Sequence, residues 1–139
     1  MVLDTDVLTI IQRGAGGAYE ALNRRILASG EPVAVTIISI EEQMRGWLAF
    51  VARAKTREQQ VLAYARLHTL VEVSGRRRIL DFDAPASIAY EGLTRARLRV
   101  GTMDLKIAAI TLANDATLLS RNLTDFRKVP GLRVGDWTV

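Results

Sequence analysis

Short apolar runs alternate along this chain with longer segments of helical periodicity. Val2-Leu3 is a brief apolar run that ends at Asp4, as a buried strand would. Asp4 or Asp6 then caps a short helix over 7–12, and Arg13-Gly14-Ala15-Gly16-Gly17 interrupts the pattern. Residues 18–28 read as a helix with Ala18, Leu22 and Leu27 broadly on one face; Gly30-Glu31-Pro32 ends it. The stretch 33–38, VAVTII, is apolar and β-branched throughout, the signature of a strand buried on both faces. Ser39 then caps a long helix reaching about Ala54, with Gln43 one position beyond the ideal capping-box spacing. Thr56 caps a further helix over 57–73, whose apolar set is Val61, Leu62, Ala65 and Leu70.

Beyond that helix, 76–83 (RRRILDFD) places a brief apolar segment between charges, either a short edge strand or a turn. Asp83 caps a helix running to Arg99, with Pro85 in the first turn, where a missing N–H is harmless. Gly101-Thr102 breaks the chain before a helix over 103–115. A buried strand over 116–120 and a short last one over 132–134 complete the order. Strands alternate with helices, which predicts an α/β fold: one domain over 1–139, with a mainly parallel central sheet of about four to five strands and helices on both faces.

Composition narrows the chemistry. A chain of 139 residues buries roughly 70% of its unfolded surface, so a core alone can hold it together. There is no cysteine, hence no disulfide and no thiolate metal site. His68 is the single histidine, too few nitrogens for a zinc centre and a poor basis for a Ser–His–Asp triad. With no run approaching a membrane span and no signal-peptide pattern at the N-terminus, the expectation is a cytoplasmic protein without membrane contact. Net charge is +4 and the sequence pI is near 10, carried mainly by arginines. Guanidinium groups match phosphate oxygens in pairs, so a polyanionic partner is as plausible as a solvated basic surface.

The acids are distributed more pointedly. Parallel sheets place their sites beyond the carboxyl ends of the strands. Asp4 follows the first strand, Glu41 or Glu42 falls in the first turn after the second, and Asp104 opens the helix 103–115. Asn122 and Asp125 follow the strand 116–120. Singly, each has an ordinary explanation, because helix dipoles favour acids in first turns and aspartates cap helices. Convergence has no such explanation: several carboxylates in one pocket repel unless some stay protonated or a cation joins them. Mg²⁺ suits such a set, taking hard oxygen ligands and keeping several waters.

The motifs LDTDVL (3–8), TIISIEEQMRG (36–46), GTMDLKIAAI (101–110) and LLSRNLTDFRKVPGLRVGDW (118–137), in that order and spacing, resemble the PIN-domain nucleases, most closely the VapC-type toxins of bacterial toxin–antitoxin pairs. The resemblance runs from Val2 to Trp137. It implies a metal-dependent endoribonuclease with Asp4 as the first family aspartate and Glu42, four residues before Gly46, as the second acid. Asp104 is the third, and Asn122 takes the variable fourth position. Asp4 and Asp104 are then the direct ligands of Mg²⁺, with Mn²⁺ able to substitute. Glu42 binds metal through water or orients the nucleophile. Ser120 and Asn122 hydrogen-bond a metal water or the scissile phosphate, while Asp6 assists the site or caps its helix. Arg13, Arg45 or Arg121 would place RNA backbone at the mouth. Further implications are a homodimer, a small cognate antitoxin laid across the pocket, operator DNA bound only through that antitoxin, and transfer RNA as a substrate class.

Two rival readings deserve a test. The run Asp4-Thr5-Asp6-Val7 also fits the start of haloacid-dehalogenase-type phosphatases, but Leu8 stands where Thr or Val belongs and no late paired acids follow. Alternatively, the neutral Asn122 leaves room for a catalytically silent nucleic-acid-binding module. His68, Trp47 and Trp137 are assigned to packing.

Overall fold

The computed structural model describes residues 1–139. Five short strands, β1 (Val2–Leu3), β2 (Ala34–Thr36), β3 (Arg78–Leu80), β4 (Thr117–Leu119) and β5 (Arg133–Gly135), form one sheet in the order β3-β2-β1-β4-β5. Every neighbouring pair is parallel, in the register Val2 to Ala34 and Val2 to Leu118 around the centre. Seven helices connect them: α1 (Thr5–Arg13), α2 (Gly17–Ser29), α3 (Ile37–Arg53), α4 (Arg57–Ser74), α5 (Ala84–Arg95), α6 (Thr102–Ala113) and α7 (Leu123–Phe126). The expected α/β sheet of about five strands is therefore present and wholly parallel.

Alternation along the strands divides the interior. Val2 and Leu118 face one cluster with Ile107, Ala108, Ile110 and Phe126, while Leu3 and Leu119 face a second with Val7, Leu8, Leu22 and Val35. The three central strands β1, β2 and β4 are buried on both faces, which is why they read as apolar runs instead of alternating ones, while the edge strands β3 and β5 are only half-buried and carry arginines. From β1 the chain steps outward through β2 and β3, then crosses to β4 and β5 on the other side. The order reverses between β1 and β4, and the carboxyl edge there is the place where such sheets open a crevice.

Several local expectations are corrected. The second strand ends at Thr36, not residue 38, because the Thr36 hydroxyl accepts from the Ser39 amide (3.1 Å) and caps α3 three residues earlier than Ser39 would have. Glu42 consequently lies in the second turn of α3, outside the reach of first-turn dipole stabilisation. α5 stops at Arg95 instead of Arg99. Arg97 adopts a left-handed conformation (φ 51°), and the chain bends so that Leu98 and Val100 turn back onto the core. In α2, Ile26, four residues after Leu22, faces the core, and Leu27 is exposed.

In α4 the expected apolar set is divided: Leu70 is buried, but Val61, Leu62 and Ala65 are exposed, because the helix packs mainly against α3 and not over the sheet. His68 is exposed on α4, not packed. Trp47 is half-buried and meets Phe50 edge-on, and Trp137 packs on the second cluster, so both tryptophans do serve packing. The ambiguous segment 76–83 contains the edge strand β3. Asp83 caps α5 and Thr56 caps α4 as expected, the latter in a complete capping box with Gln59. No helix is long and apolar enough to cross a membrane.

Candidate metal centre at the sheet switch point

Asp4 leaves β1 at the switch point and caps α1, its Oδ1 accepting from the Thr5 amide at 2.8 Å. Its own amide donates to the Leu119 carbonyl (2.9 Å), so the residue is still part of the ladder when its side chain turns to the site. Ser120, one residue past β4, donates its hydroxyl to Asp4 Oδ2 at 2.7 Å. The carboxylate is thus held by groups from both strands flanking the reversal, and both residues are buried, Asp4 to 6% exposure. The Asn122 amide in turn donates to Ser120 Oγ (2.9 Å).

Around Asp4 opens a cup of about 350 Å³ lined by Asp4, Thr5, Asp6, Thr9, Glu42, Asp104 and Asn122. Glu42 reaches it from α3, its Oε1 accepting from the Thr5 hydroxyl at 2.9 Å. Asp104 enters from the first turn of α6 and accepts from the Asn122 side-chain amide at 3.3 Å. That amide also donates to Asp125 Oδ2 (3.1 Å), and Lys128 holds the other Asp125 oxygen at 2.7 Å. Asp6 lines the cup and its Oδ1 accepts from the Val7 amide (2.7 Å); the cap of α1 is Asp4, with Asp6 inside the first turn. The structure therefore brings Asp4, Glu42, Asp104 and Asn122 to one cup, with Ser120 behind Asp4. Asp125 stands one hydrogen bond outside.

Four carboxylates line this cup and no lysine or arginine does. The electrostatic consequences follow. Burial pushes Asp4 up to about 6; Asp6 and Asp104 add to the rise, and the Ser120 hydroxyl and Thr5 amide oppose it. Burial likewise raises Glu42, with Asp104 adding and Thr5 opposing. Asp104 is raised by burial and by Asp125, against the pull of Asn122. Asp125 goes the other way, held below the usual carboxylate range first by its bond to Lys128. Three raised acids facing one concave site favour the binding of a cation there.

The donor set fits a hard divalent ion, since every side-chain donor lining the cup except the Asn122 nitrogen is an oxygen. No three acidic side chains stand close enough to hold an ion directly among themselves. The arrangement suits a divalent ion that keeps much of its water shell and takes one or two carboxylates.

Thr5 and Lys128 were not legible as site residues. Thr5 sits inside the LDTD run, and only the fold reveals that its hydroxyl steadies a glutamate from α3. Of the arginines expected at the mouth, Arg45 pairs with Glu41 on the exposed face of α3, Arg121 is exposed beside β4, and neither lines the cup.

Residues 1–132 match the PIN domain family, and the chain belongs to that family. Ribonuclease VapC2 of Rickettsia felis is 29% identical across 98% of this chain and 96% of its own length. The tRNA(fMet)-specific endonuclease VapC of Salmonella typhimurium is 34% identical over a shorter stretch, 45% of this chain and 50% of the relative. The crystal structure of DNA-bound VapBC from the same species superimposes with a TM-score of 0.73 at 23% identity, covering 98% of this chain and 96% of that one, and it shares the fold described above. Membership of this family sets aside the phosphatase reading of Asp4-Thr5-Asp6.

Proposed function

We propose that this PIN domain is a divalent-metal-dependent endoribonuclease and the toxin of a type II toxin–antitoxin pair. The observation that carries the reading is the buried Asp4, bonded to Ser120 across the switch point and facing Glu42 and Asp104 in a cup without cations. The names of the full-length and partial relatives, both VapC nucleases, support the same reaction.

Asp4 and Asp104 are the residues that would hold Mg²⁺, with Mn²⁺ able to replace it, and Glu42 would contact the ion through water. When bound, the ion supplies an acidified water and positive charge against the phosphodiester oxygens. The chain's own residues do the positioning. Ser120 and Thr5 fix the two oxygens of Asp4, and the Thr5 hydroxyl fixes Glu42, so the acids meet the substrate in a set orientation. Asn122 bridges Asp104 and Asp125 with one amide and adds no charge of its own. Glu42, raised by burial, is suited to accept a proton from an attacking water.

The partners proposed with this activity are a homodimer mate, a small antitoxin covering the cup, and operator DNA reached through that antitoxin; transfer RNA is the first substrate class to try. The test is cleavage of single-stranded and transfer RNA by purified protein with Mg²⁺, with Mn²⁺ and with chelator. Metal-dependent cleavage that Asp4→Asn abolishes is the expected outcome. Intact RNA under all three conditions would favour the silent binding module. Growth arrest on expression, relieved by the adjacent small gene, tests the toxin assignment separately from the chemistry.

A further inference from the structure

Next to the acidic cup lies a second and larger hollow, about 700 Å³, between α1 and α4. Its charge is the inverse of the cup's: Arg13, Arg66 and Arg77 line it and no carboxylate does. Helical register puts them there. Thr9 and Arg13 are four residues apart on α1, while Arg66, Leu70, Val73 and Arg77 follow one stripe along and just beyond α4.

The three arginines line one hollow with no acid beside them, and none takes part in an ion pair. Two features separate this hollow from an ordinary basic surface. Arg77 is half-buried, and its Nε is sealed from water without any hydrogen-bond partner. Holding a half-buried guanidinium without a carboxylate is costly, and an anion in the hollow offsets part of that cost. The floor between the arginines is apolar, formed by Trp47, Leu70 and Val73, which strengthens attraction to a bound anion.

The hollow adjoins the cup. Thr9 lines both, and α1 runs from one to the other, Asp6 and Arg13 being about 10 Å apart along the axis at 1.5 Å per residue. A polyanionic strand with one phosphodiester in the cup must carry its next phosphates away from four carboxylates. The arginine hollow is the neighbouring place where those phosphates gain attraction.

We infer that Arg13, Arg66 and Arg77 form a phosphate-binding subsite that grips the RNA strand as it leaves the cup. This rests on the ribonuclease reading above. Phosphate contacts of this kind set register and affinity without choosing sequence.

The test uses the full-length protein in chelator, where RNA binds without being cut, and a fluorescein-labelled single-stranded RNA oligonucleotide followed by anisotropy across a salt series. Arg66→Gln and Arg13→Gln, both at exposed positions, should each weaken binding about tenfold and flatten the salt dependence by roughly 0.7 in log–log slope. Arg24→Gln on the exposed face of α2 is the control for general surface charge. In cleavage with Mn²⁺, the Arg66 and Arg13 variants should raise KM more than they lower kcat. Arg77→Gln is paired with Arg77→Lys and a thermal melt, and a variant that melts early is judged through Arg66 and Arg13.

Variants equal to wild type in affinity and salt slope, on a wild type that binds and cleaves RNA, would overturn the subsite and leave the ribonuclease intact. A wild type that neither binds nor cleaves RNA would overturn the ribonuclease reading itself. Unchanged RNA binding together with weakened capture of a labelled polyglutamate peptide would overturn the RNA assignment and give the hollow to an acidic protein segment.

Discussion

Asp4→Asn should make the metal-free protein more stable at neutral pH while removing its activity. Asp4 is 6% exposed and its carboxyl is raised from 3.8 to about 6, chiefly by burial. For an acid whose folded value lies above its unfolded one, the folded state binds the proton more tightly. The stabilisation from that proton is complete below about pH 3.8 and is lost as pH climbs through about 6. The rise corresponds to about 3 kcal/mol of stability forfeited by pH 7.5, at 1.36 kcal/mol per pH unit. Asparagine carries no charge and keeps an oxygen for the Thr5 amide. Its new N–H₂ group faces the Ser120 hydroxyl, whose hydrogen then loses its acceptor, and that mismatch costs about 1 kcal/mol.

The net expectation is a gain of about 1–2 kcal/mol near pH 7.5 and a small loss near pH 4, where wild-type Asp4 is itself largely neutral. Urea unfolding of both proteins in chelator, from about pH 4 to about pH 8, measures it. The difference between the two curves reports Asp4 together with its coupling to Asp6 and Asp104, which add to its rise. A gap between wild type and variant that stays constant across that range would refute the account of a buried, uncompensated carboxylate. So would a variant less stable than wild type at pH 7.5.

Three further substitutions probe separate parts of the argument. Ser120→Ala removes the hydroxyl that lowers Asp4 and leaves Asp4 Oδ2 and the Asn122 amide without their partner; it should destabilise by about 1–3 kcal/mol and move the acid limb of the pH–rate profile upward. Asn122→Asp places a charge between Asp104 and Asp125 and removes a donor from both. Metal-free stability at neutral pH should fall, and isothermal titration should show tighter Mn²⁺ binding than wild type. Gly46→Ala lies in the interior of α3, where an added Cβ meets nothing within 4 Å; the isolated chain should gain about 0.5–1 kcal/mol in thermal or urea unfolding. A loss of RNA cleavage in that more stable variant would mean the open flank of Gly46 is a surface approached by another molecule.

The elements were legible because they are local; which acids form the site came from the family resemblance, since position alone left Glu41 and Glu42 open. A two-residue apolar run before Asp4, a β-branched run before Thr36 and turn residues at 30–32 can each be read within a few positions of the chain. Most of what was misread depended on neighbours far away in sequence, the strand end at Thr36 being the local exception. VAVTII is equally good as strand or as the start of a buried helix, and the Thr36 hydroxyl decided the boundary. Leu27 and Ile26 are adjacent and equally apolar, so only the placement of α2 over the second core chose between them. Val61 and Leu62 have the spacing of a buried face, but α4 lies against α3 away from the sheet that would have covered them. The four-residue α7 is too short to carry a period. Within the site, Asp4, Glu42, Asp104, Ser120 and Asn122 were all marked from the chain; Thr5 was not, because a threonine bonded to a glutamate 37 positions away leaves no sequence trace. Arg66 and Arg77 escaped for the same reason, since their convergence with Arg13 requires α4 to lie beside α1.

The bond between Ser120 and Asp4 sews the first reactive group into the middle of the sheet, between the two strands with the most sheltered ladder. Regions of that kind open last when a protein breathes, typically only when the whole domain unfolds. Loosening a loop therefore offers no off position: the acid stays armed for as long as the molecule is folded. On the reading proposed above, restraint would have to come from outside the fold, as a lid contributed by another chain, and its duration would follow the lifetime of that cover.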